Sequence, residues 1–209
     1  MNLFEAIGEN MGRMVRAYAK ATRGAPDLPL SPRYAQYDDT EDAAENANLY
    51  ANLSWVAAAI DAVVNLGSTV EFKVTKGENV VEAAPILDLF DHPNPQQSRG
   101  EFLGAVYAFY KLSGNGYIYM PRPSDTTPPT ELWVVPSQMI EPVSDGKSGV
   151  QGYLFLGAGG ERIPIDPWMI CHLMRFNPLN NLVGLSELAS LELASDLDLA
   201  SQRWNANFF

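Results

Sequence analysis

Apolar residues recur at helical spacing in several stretches of this chain. Residues 3–18 carry apolar side chains at three- and four-residue steps, which predicts an amphipathic helix within an N-terminal unit of residues 1–23. A second stripe opens the folded body near residue 49 and ends at Gly67. Its apolar positions step by four and three residues in turn, and they are Leu49, Leu53, Val56, Ile60 and Val63.

Two further helices are indicated by their first turns. Ser98 and Glu101 have the spacing of a capping box, so a helix should begin there and stop at the run SGNG of residues 113–116. Ser186 is placed to cap a last helix, with Glu187 in its first turn. This last helix carries apolar residues at steps of three and four, namely Leu193, Leu197, Ala200, Trp204 and Phe208.

Segments rich in β-forming residues lie between these helices. A half-buried strand is predicted over residues 70–74, and the chain turns back at 76–79. Turns rich in proline and glycine separate the later segments, as short antiparallel strands require. These segments are residues 117–120, 132–135, 153–156, 162–165 and 168–173. The prediction is an α+β fold with helices packed around a small, mostly antiparallel sheet.

Residues 24–48 interrupt the pattern. They hold three prolines and then a cluster of acidic residues, without apolar periodicity, and are interpreted as a solvated linker. The predicted organisation is therefore an N-terminal amphipathic helix over 1–23, a Pro-rich then acidic linker over 24–48, an α+β domain over 49–183 and a last helix over 184–209.

Charge and composition narrow the function classes. The 209 residues include 14 Lys and Arg against 25 Asp and Glu, a formal net charge of −11. Tight binding to nucleic acid phosphates depends on clustered basic residues, so a DNA-gripping protein is disfavoured. No apolar run reaches the roughly 18 residues of a membrane span, and charges interrupt the N-terminal stretch. The expectation is a soluble protein made in a reducing cytoplasm, with no membrane partner.

The residue pattern indicates no catalytic or metal site. The single cysteine, Cys171, cannot form an intrachain disulfide, and its neighbour His172 should point to the opposite face of a strand. A zinc site needs three or four converging ligands. The chain has one cysteine and two histidines, His92 and His172, which are far apart in the sequence, so a zinc site is not expected. The last helix carries carboxylates without a basic partner in the pattern, namely Glu187, Glu192, Asp196 and Asp198. We therefore predict no catalytic residue, no metal and no cofactor.

The order of these segments resembles the portal protein family of tailed bacteriophages. The resemblance covers about residues 49–209 and rests on short runs that follow the family's order. They are WVAAAI (55–60), ILDLF leading to PNPQQS (86–98), EF (101–102), LSGNGYIY (112–119), LWVVP (132–136), WMICH (168–172) and GLSEL (184–188). The family usually has proline after the serine of the last run, where this chain has Glu187.

The resemblance implies a structural protein without bond chemistry. Portal proteins form rings, expected here to be dodecamers, at one capsid vertex, and double-stranded DNA is packaged and ejected through the ring. The implied partners are further copies of the chain, the major capsid protein, the terminase large subunit, a head–tail adaptor and DNA that passes without tight binding. The implied location is the virion, after assembly in the host cytoplasm. A negative net charge suits such a conduit because it repels phosphate.

Within such a ring, residues 49–183 are expected to form the peripheral wing, and residues 184–209 to lead toward the ring interior. The helical pattern still runs at residue 209, so we expect a longer polypeptide or a partner that covers this end. Apolar groups that local helices cannot cover are the candidate contacts with other subunits or partners, namely Trp168, Trp204, Phe208 and Phe209.

Three other functions remain open at this point. A head–tail adaptor without its own channel would differ in stoichiometry and in its position in the particle. A carboxylate hydrolase would lose turnover on alanine substitution of Glu187, Glu192 or Asp196. A DNA-binding regulator conflicts with the net charge and would show a steep dependence of affinity on salt.

Overall fold

The described part of the chain builds two three-stranded antiparallel sheets and a layer of helices. The computed structural model describes residues 39–81, 84–144, 149–157 and 160–190, with residues 201 and 204. Its α-helices are α1 (Asp39–Asn52), α2 (Ser54–Ser68), α3 (Pro85–Asp91) and α4 (Arg99–Ser113). Its strands are β1 (Val74–Lys76), β2 (Asn79–Val81), β3 (Asn115–Tyr119), β4 (Trp133–Val135), β5 (Ile140–Ser144), β6 (Val150–Leu156), β7 (Arg162–Ile165) and β8 (Ile170–Met174). The predicted α+β class is confirmed.

Strand β3 is the centre of the first sheet, with β4 on one side and β8 on the other. The second sheet has the order β5-β6-β7, and β1 pairs with β2 in a separate hairpin. Successive side chains of a strand point to opposite faces, so Tyr117 and Tyr119 of β3 enter one hydrophobic cluster and Ile118 enters another. The first sheet is therefore covered on both faces.

Three hydrophobic clusters hold these layers together. The first lies between the two sheets, the second between the first sheet and α4, and the third between α2 and the C-terminal end of α4. The largest side chains that are completely buried in them are Tyr117, Phe102, Leu53 and Ile140. Members of all three clusters come from the continuous segment of α4 and β3, so the connection between these two elements lies where the clusters meet.

The helical stripe predicted from Leu49 is divided into two helices. Leu53 has an extended backbone, with φ −110° and ψ 107°, and separates α1 from α2. The two helices are bent by 103° relative to each other. Leu53 is completely buried in the third cluster, so the chain turns where this side chain enters the core. Spacing alone could not predict the bend because leucine is a good helix former.

The predicted linker over residues 24–48 is wrong for its last part, because α1 begins at Asp39. Ala43 and Asn46 are buried, and α1 contacts α4 and the 3₁₀ turn Ser137–Met139. Acidic residues suit the N-terminal end of a helix and alanine favours the helix interior, although neither produces an apolar stripe. Residues 1–38, which include the predicted N-terminal helix, lie outside the described residues.

Most of the predicted strands are found with shifted bounds. β7 has the predicted bounds, whereas the segment predicted over 168–173 is a 3₁₀ turn, Pro167–Met169, followed by β8. The first strand begins later than predicted, at Val74. β5 was not predicted because it contains Pro142, which cannot donate to a ladder, but β5 is an edge strand, where proline is tolerated.

The capping box predicted at Ser98 and Glu101 is confirmed. The Glu101 amide donates to Ser98 Oγ at 3.4 Å, and the Ser98 amide donates to Glu101 Oε2 at 2.8 Å. The hydrogen bonds that the Glu101 carboxylate accepts from the Ser98 backbone and hydroxyl hold its pKa below the usual value.

We expect Ser98→Ala to lower the free energy of unfolding by about 1 kcal/mol, because the N-terminal amides of α4 lose their side-chain acceptor. Urea unfolding followed by circular dichroism measures this loss. Ser54→Ala is the matched control, since α2 begins after Leu53 without a side-chain cap. An equal loss in both variants would contradict the assignment of the cap.

No single helix in the described ranges is long and apolar enough to cross a bilayer. The bent pair Ala43–Asn52 and Ser54–Ser68 reaches that length and composition only when its two halves are counted together.

Candidate functional site

Three of the sequence runs named above meet at one buried point. Asn115 follows α4 and begins β3, His172 lies in β8, and Gly184 precedes the segment that was predicted to open the last helix. Ser113 and Ser137 complete this group. We call these five residues the junction. It joins the first sheet, α4 and the segment after residue 183.

Asn115 is the centre of the junction and is completely buried. Its Oδ1 accepts hydrogen bonds from the Gly184 amide at 2.6 Å and from His172 Nε2 at 2.9 Å. Its Nδ2 donates to Ser113 O at 3.0 Å and to Gly184 O at 3.4 Å. One side chain therefore satisfies both backbone polar groups of Gly184. If these buried groups were unpaired, the folded state would lose free energy of stabilisation.

Two buried serines extend the same network. Ser113 Oγ and Ser137 Oγ are 2.8 Å apart, and both hydroxyls contact Asn115 O at 3.0 Å. The Asn115 amide donates to Ser113 Oγ at 3.1 Å. Ser137 belongs to the 3₁₀ turn between β4 and β5, so the network also ties the second sheet to the end of α4.

The backbones on the two sides of the junction are in direct contact through glycines. Gly114 ends α4 in the left-handed region, with φ 77°, and a Cβ there would lie 2.5 Å from Leu185 O. A Cβ on Gly184 would lie 2.8 Å from Arg175 N and closer still to Gly114 O. The Arg175 amide donates to Gly114 O at 2.9 Å. Only glycine fits at these two positions.

A small cluster of charged side chains lies next to the junction. Lys111 Nζ donates to Glu187 Oε1 at 2.7 Å, and Arg175 Nε lies 3.9 Å from the same oxygen. Ser186 Oγ donates to Leu112 O at 2.6 Å and accepts from the Leu188 amide at 3.0 Å. Glu187 thus has two basic neighbours, which corrects the prediction of a carboxylate without a basic partner. Those neighbours are distant in sequence and become close only through the fold.

Cys171 and His172 face opposite sides of β8, as predicted. Cys171 packs in the second cluster, whereas His172 stacks on Tyr117 with ring centroids 4.2 Å apart and meets Tyr153 edge to face at 5.9 Å. Burial raises the pKa of the Cys171 thiol and lowers the pKa of His172 to about 4. A protonated thiol and an imidazole on opposite faces do not form a nucleophile–base pair.

The low pKa of His172 predicts a loss of stability in acid. The pKa falls from 6.5 to about 4 on folding, so the unfolded chain binds the proton more readily in that interval and stability is lost as pH drops through it. The full effect is about 3 kcal/mol. We expect wild type to lose about this much more than His172→Gln between pH 7 and pH 4 in urea unfolding. Equal losses in the two proteins would contradict a buried neutral imidazole.

A second cross-link joins two other runs of the sequence. Asn94 is buried, and its Nδ2 donates to Leu132 O at 2.9 Å, while the Leu132 amide donates to Pro93 O at 2.6 Å. An open groove of about 610 Å³ lies beside this contact. It is lined by His92, Asn94, Pro95, Gln96, Gln97, Ser98, Thr130 and Glu131. Within the described ranges, His, Cys, Asp and Glu side chains form no group of three that could hold a metal ion.

Two of the four predicted contact residues fall within the described part of the chain. Trp168 is half-buried against the first cluster, with the Arg122 guanidinium 5.5 Å from its ring centroid, and Arg122 Nη2 donates to Trp168 O. Trp204 is exposed over 64% of its surface. Phe208 and Phe209 lie outside the described residues, as do Glu192, Asp196 and Asp198.

Asn115, which is the most connected polar residue of the junction, was not predicted to have a role of its own. The run SGNG was interpreted only as the end of a helix and as part of the run LSGNGYIY, which resembles the portal family. A usable signal was present, because asparagine is a poor strand former and here it stands between two glycines at the start of a strand. Such a residue is retained in a strand when its side chain has a structural hydrogen-bonding role.

The fold and the junction define a structural α+β module in which polar residues of the sequence runs cross-link distant backbone segments. The sequence profile described as phage portal protein matches residues 54–209. This chain therefore belongs to the phage portal protein family, and the resemblance noted from its sequence is confirmed.

Relatives are found among Rickettsia proteins. An uncharacterized protein of Rickettsia bellii (strain RML369-C) is 28% identical over 92% of this chain and 52% of its own length. Another of Rickettsia felis (strain ATCC VR-1525 / URRWXCal2) is 29% identical over 72% of this chain and 40% of its own length. The chain thus spans about half the length of these relatives, or less.

Solved structures of gene transfer agent (GTA) particles contain similar chains. A chain in the neck of a native particle, computed with C12 symmetry, superposes with a TM-score of 0.67 at 26% identity, over 93% of this chain and 50% of that chain. A chain in the neck of an empty particle, computed with C6 symmetry, gives a TM-score of 0.70 at 26% identity, over 92% and 50%. A chain in a native virion gives 0.66 at 26% identity, over 93% and 49%.

Proposed function

We propose that this chain forms the wing of a portal subunit, and that copies of the subunit assemble as a ring through which double-stranded DNA enters and leaves a phage-like particle. The observation that carries the proposal is the similarity over more than nine-tenths of the chain to chains in the necks of gene transfer agent particles. The family match over residues 54–209 supports the same function.

The geometry of the junction favours a structural role over catalysis. The side chains of Asn115, Ser113 and Ser137 form hydrogen bonds with one another and with backbone groups. Cys171 is a thiol of raised pKa, and Glu187 is bound to Lys111. These residues stabilise one conformation, which suits a subunit whose function depends on its shape in a ring. We therefore propose a protein without enzymatic activity of its own.

The proposed partners follow from this position in the particle. They are further copies of the chain in a ring of twelve, the major capsid protein, the terminase large subunit and a head–tail adaptor. The net charge of −11 supports passage of DNA without tight binding, because like charge gives the phosphates no electrostatic minimum in which to rest. Trp168 and Trp204 remain proposed contacts with these partners, and residues 184–209 are proposed to lead toward the ring interior.

Deletion of the gene in a particle-producing cell tests the proposal. Without a portal, DNA is not packaged, so we expect nuclease-resistant DNA in the particle fraction to fall to background while capsid protein is still made. Re-expression of the full polypeptide should restore packaging. DNA-filled heads that lack tails would instead identify a head–tail adaptor and would overturn the portal assignment.

A further inference from the structure

Helix α2 is apolar on two sides. Its buried side places Val56 and Ile60 in the third cluster. The other side, which we call the outer face, carries exposed apolar residues at steps of four, three and four, with one more beside them. They are Trp55, Ala59, Ala62 and Leu66, with Val63, and Leu66 is 76% exposed. A helix that is apolar on both sides is typical of one that packs on both sides.

The outer face differs from the other exposed apolar side chains of the described residues. Val80 lies in the two-stranded hairpin, Ile86 in the seven-residue helix α3, and Phe176 and Leu179 in a loop. The exposed residues of β8 are adjacent in the strand and therefore point to opposite sides. Within the described ranges, the outer face is thus the exposed apolar surface with helical periodicity, over about 16 Å of α2, and a second helix fits along it.

Two segments that lie outside the described residues have an apolar helical stripe of their own. One is the predicted last helix, from residue 191 onward. The other is the predicted amphipathic helix of residues 3–18, whose apolar positions are Leu3, Phe4, Ile7, Met11, Met14, Val15 and Tyr18. As a helix, the second segment would be about 22 Å long, which is enough to cover the outer face.

Charge distinguishes between these two segments. Helices α1 and α2 contain five acidic residues and no Lys or Arg; the acidic residues are Asp39, Glu41, Asp42, Glu45 and Asp61. Residues 1–23 carry a formal charge of +2, whereas residues 24–209 carry −13 and residues 191–209 carry −2. The acidic helix pair therefore attracts residues 1–23 and repels the last segment. The chain also enters that segment from Leu188, which packs on the buried side of α2.

The length of the chain permits this contact within one molecule. The 20 residues from 19 to 38 span up to about 65 Å when extended. Every point of α2 lies within about 43 Å of Asp39, because α1 and α2 have 14 and 15 residues and follow each other directly. A segment on such a tether meets the outer face of its own chain at a high effective concentration.

We propose that residues 3–18 form a helix that packs its apolar side on the outer face of α2 in the same chain. The basic residues Arg13, Arg16, Lys20 and Arg23 are then held by the acidic residues of α1 and α2. This contact lies within one chain, so it does not depend on the proposed ring, and a monomer tests it as well as a ring does.

The rate of maleimide labelling in the complete polypeptide tests whether the outer face is covered. With Cys171→Ala as the background, the Leu66→Cys variant reports on the outer face, and Asn65→Cys is the control on the polar side of α2. We expect the Leu66→Cys variant to react about tenfold more slowly than the Asn65→Cys variant. Equal rates overturn the inference. If equal rates are accompanied by sedimentation of the wild-type chain with anionic phospholipid vesicles, residues 3–18 bind a membrane instead.

Charge reversal tests whether residues 1–23 are the segment that covers the face. Arg13→Glu with Arg16→Glu should raise the labelling rate of the Leu66→Cys variant toward that of the Asn65→Cys variant. The control of equal charge is Lys76→Glu with Arg162→Glu, two exposed residues in the hairpin and in β7, and it should leave the protection intact. Protection that is unchanged by the first reversal means that another segment covers the face, and it overturns the inference.

A cross-link identifies the side of the segment and the chain that supplies it. With Cys171→Ala, Ala62→Cys and Met11→Cys in one chain, a short bismaleimide should link the two segments, and Glu9→Cys in place of Met11→Cys should give little product. Equal yields overturn the packing of the apolar side. When isotopically light and heavy chains are assembled together, the linked peptides should be wholly light or wholly heavy. Mixed pairs mean that a neighbouring copy supplies the segment and overturn the inference.

Discussion

Gly114→Ala is expected to lower the free energy of unfolding by about 3–4 kcal/mol, because it combines two costs. The residue has φ 77°, a left-handed conformation that disfavours any side chain with a Cβ. The new methyl group would also lie 2.5 Å from Leu185 O, in a backbone segment that the junction holds in place. Chemical unfolding monitored by tryptophan fluorescence measures the loss.

Gly77→Ala is the control that separates the conformational cost of Gly114→Ala from its steric cost. Gly77 has a similar φ of 65°, but nothing lies within 4 Å of its Cβ position. Its replacement should therefore cost only the conformational part, about 1–2 kcal/mol. If Gly114→Ala cost no more than Gly77→Ala, the close approach of the two backbones at the junction would be wrong.

Asn115→Ala is expected to lower the free energy of unfolding by about 3 kcal/mol, since several buried groups lose their partner at once. The Gly184 amide would be left without the acceptor that now lies 2.6 Å away, and His172 Nε2 would lose its contact. The junction should then open locally. Hydrogen exchange at the Gly184 amide should accelerate toward the rate of an open loop.

Asn94→Ala is the matched control for this prediction. Asn94 is also buried and bonded to a distant carbonyl, that of Leu132, but it lies at the other cross-link. Its loss should destabilise the protein while exchange at Gly184 stays slow in the native state. Acceleration at Gly184 in both variants to the same extent would mean that the amide exchanges through global unfolding, and not through the junction.

Local sequence signals predicted the elements that depend on local interactions. The capping box of Ser98 and Glu101 and the strand Arg162–Ile165 are found where they were expected, because caps and β-propensity act within a few residues. A turn that contains glycine also separates the segments 153–156 and 162–165 as predicted, and the Gly157 amide donates to Glu161 O there.

Features set by tertiary contacts could not be predicted in this way. The break at Leu53 depends on a core that α4 and the segment near Leu188 help to build. The helix from Asp39 depends on its contact with the turn at Ser137, which lies about a hundred residues later. In both places tertiary packing outweighs the local pattern.

In the candidate site, too, local signals were predicted and tertiary contacts were not. The sequence runs were identified correctly as members of an ordered set, but their individual roles depend on which runs meet in space. Lys111 and Arg175 were not associated with Glu187 because the three residues are far apart in the chain. The role of Asn115 follows only from its contact with Gly184.

These contacts connect the fold with the proposed function. The junction fixes the direction in which the chain leaves the first sheet after residue 183. A ring requires that every copy present its contact surfaces in one orientation. A buried network of neutral hydrogen bonds provides such a fixed orientation, because each partner has a definite geometry.

The measurement that tests the portal assignment most directly is image averaging of the purified, complete polypeptide by electron microscopy. We expect closed rings with rotational symmetry and a central opening wide enough for duplex DNA. A uniform population of single subunits without rings, at concentrations where related assemblies would form, would contradict the portal assignment.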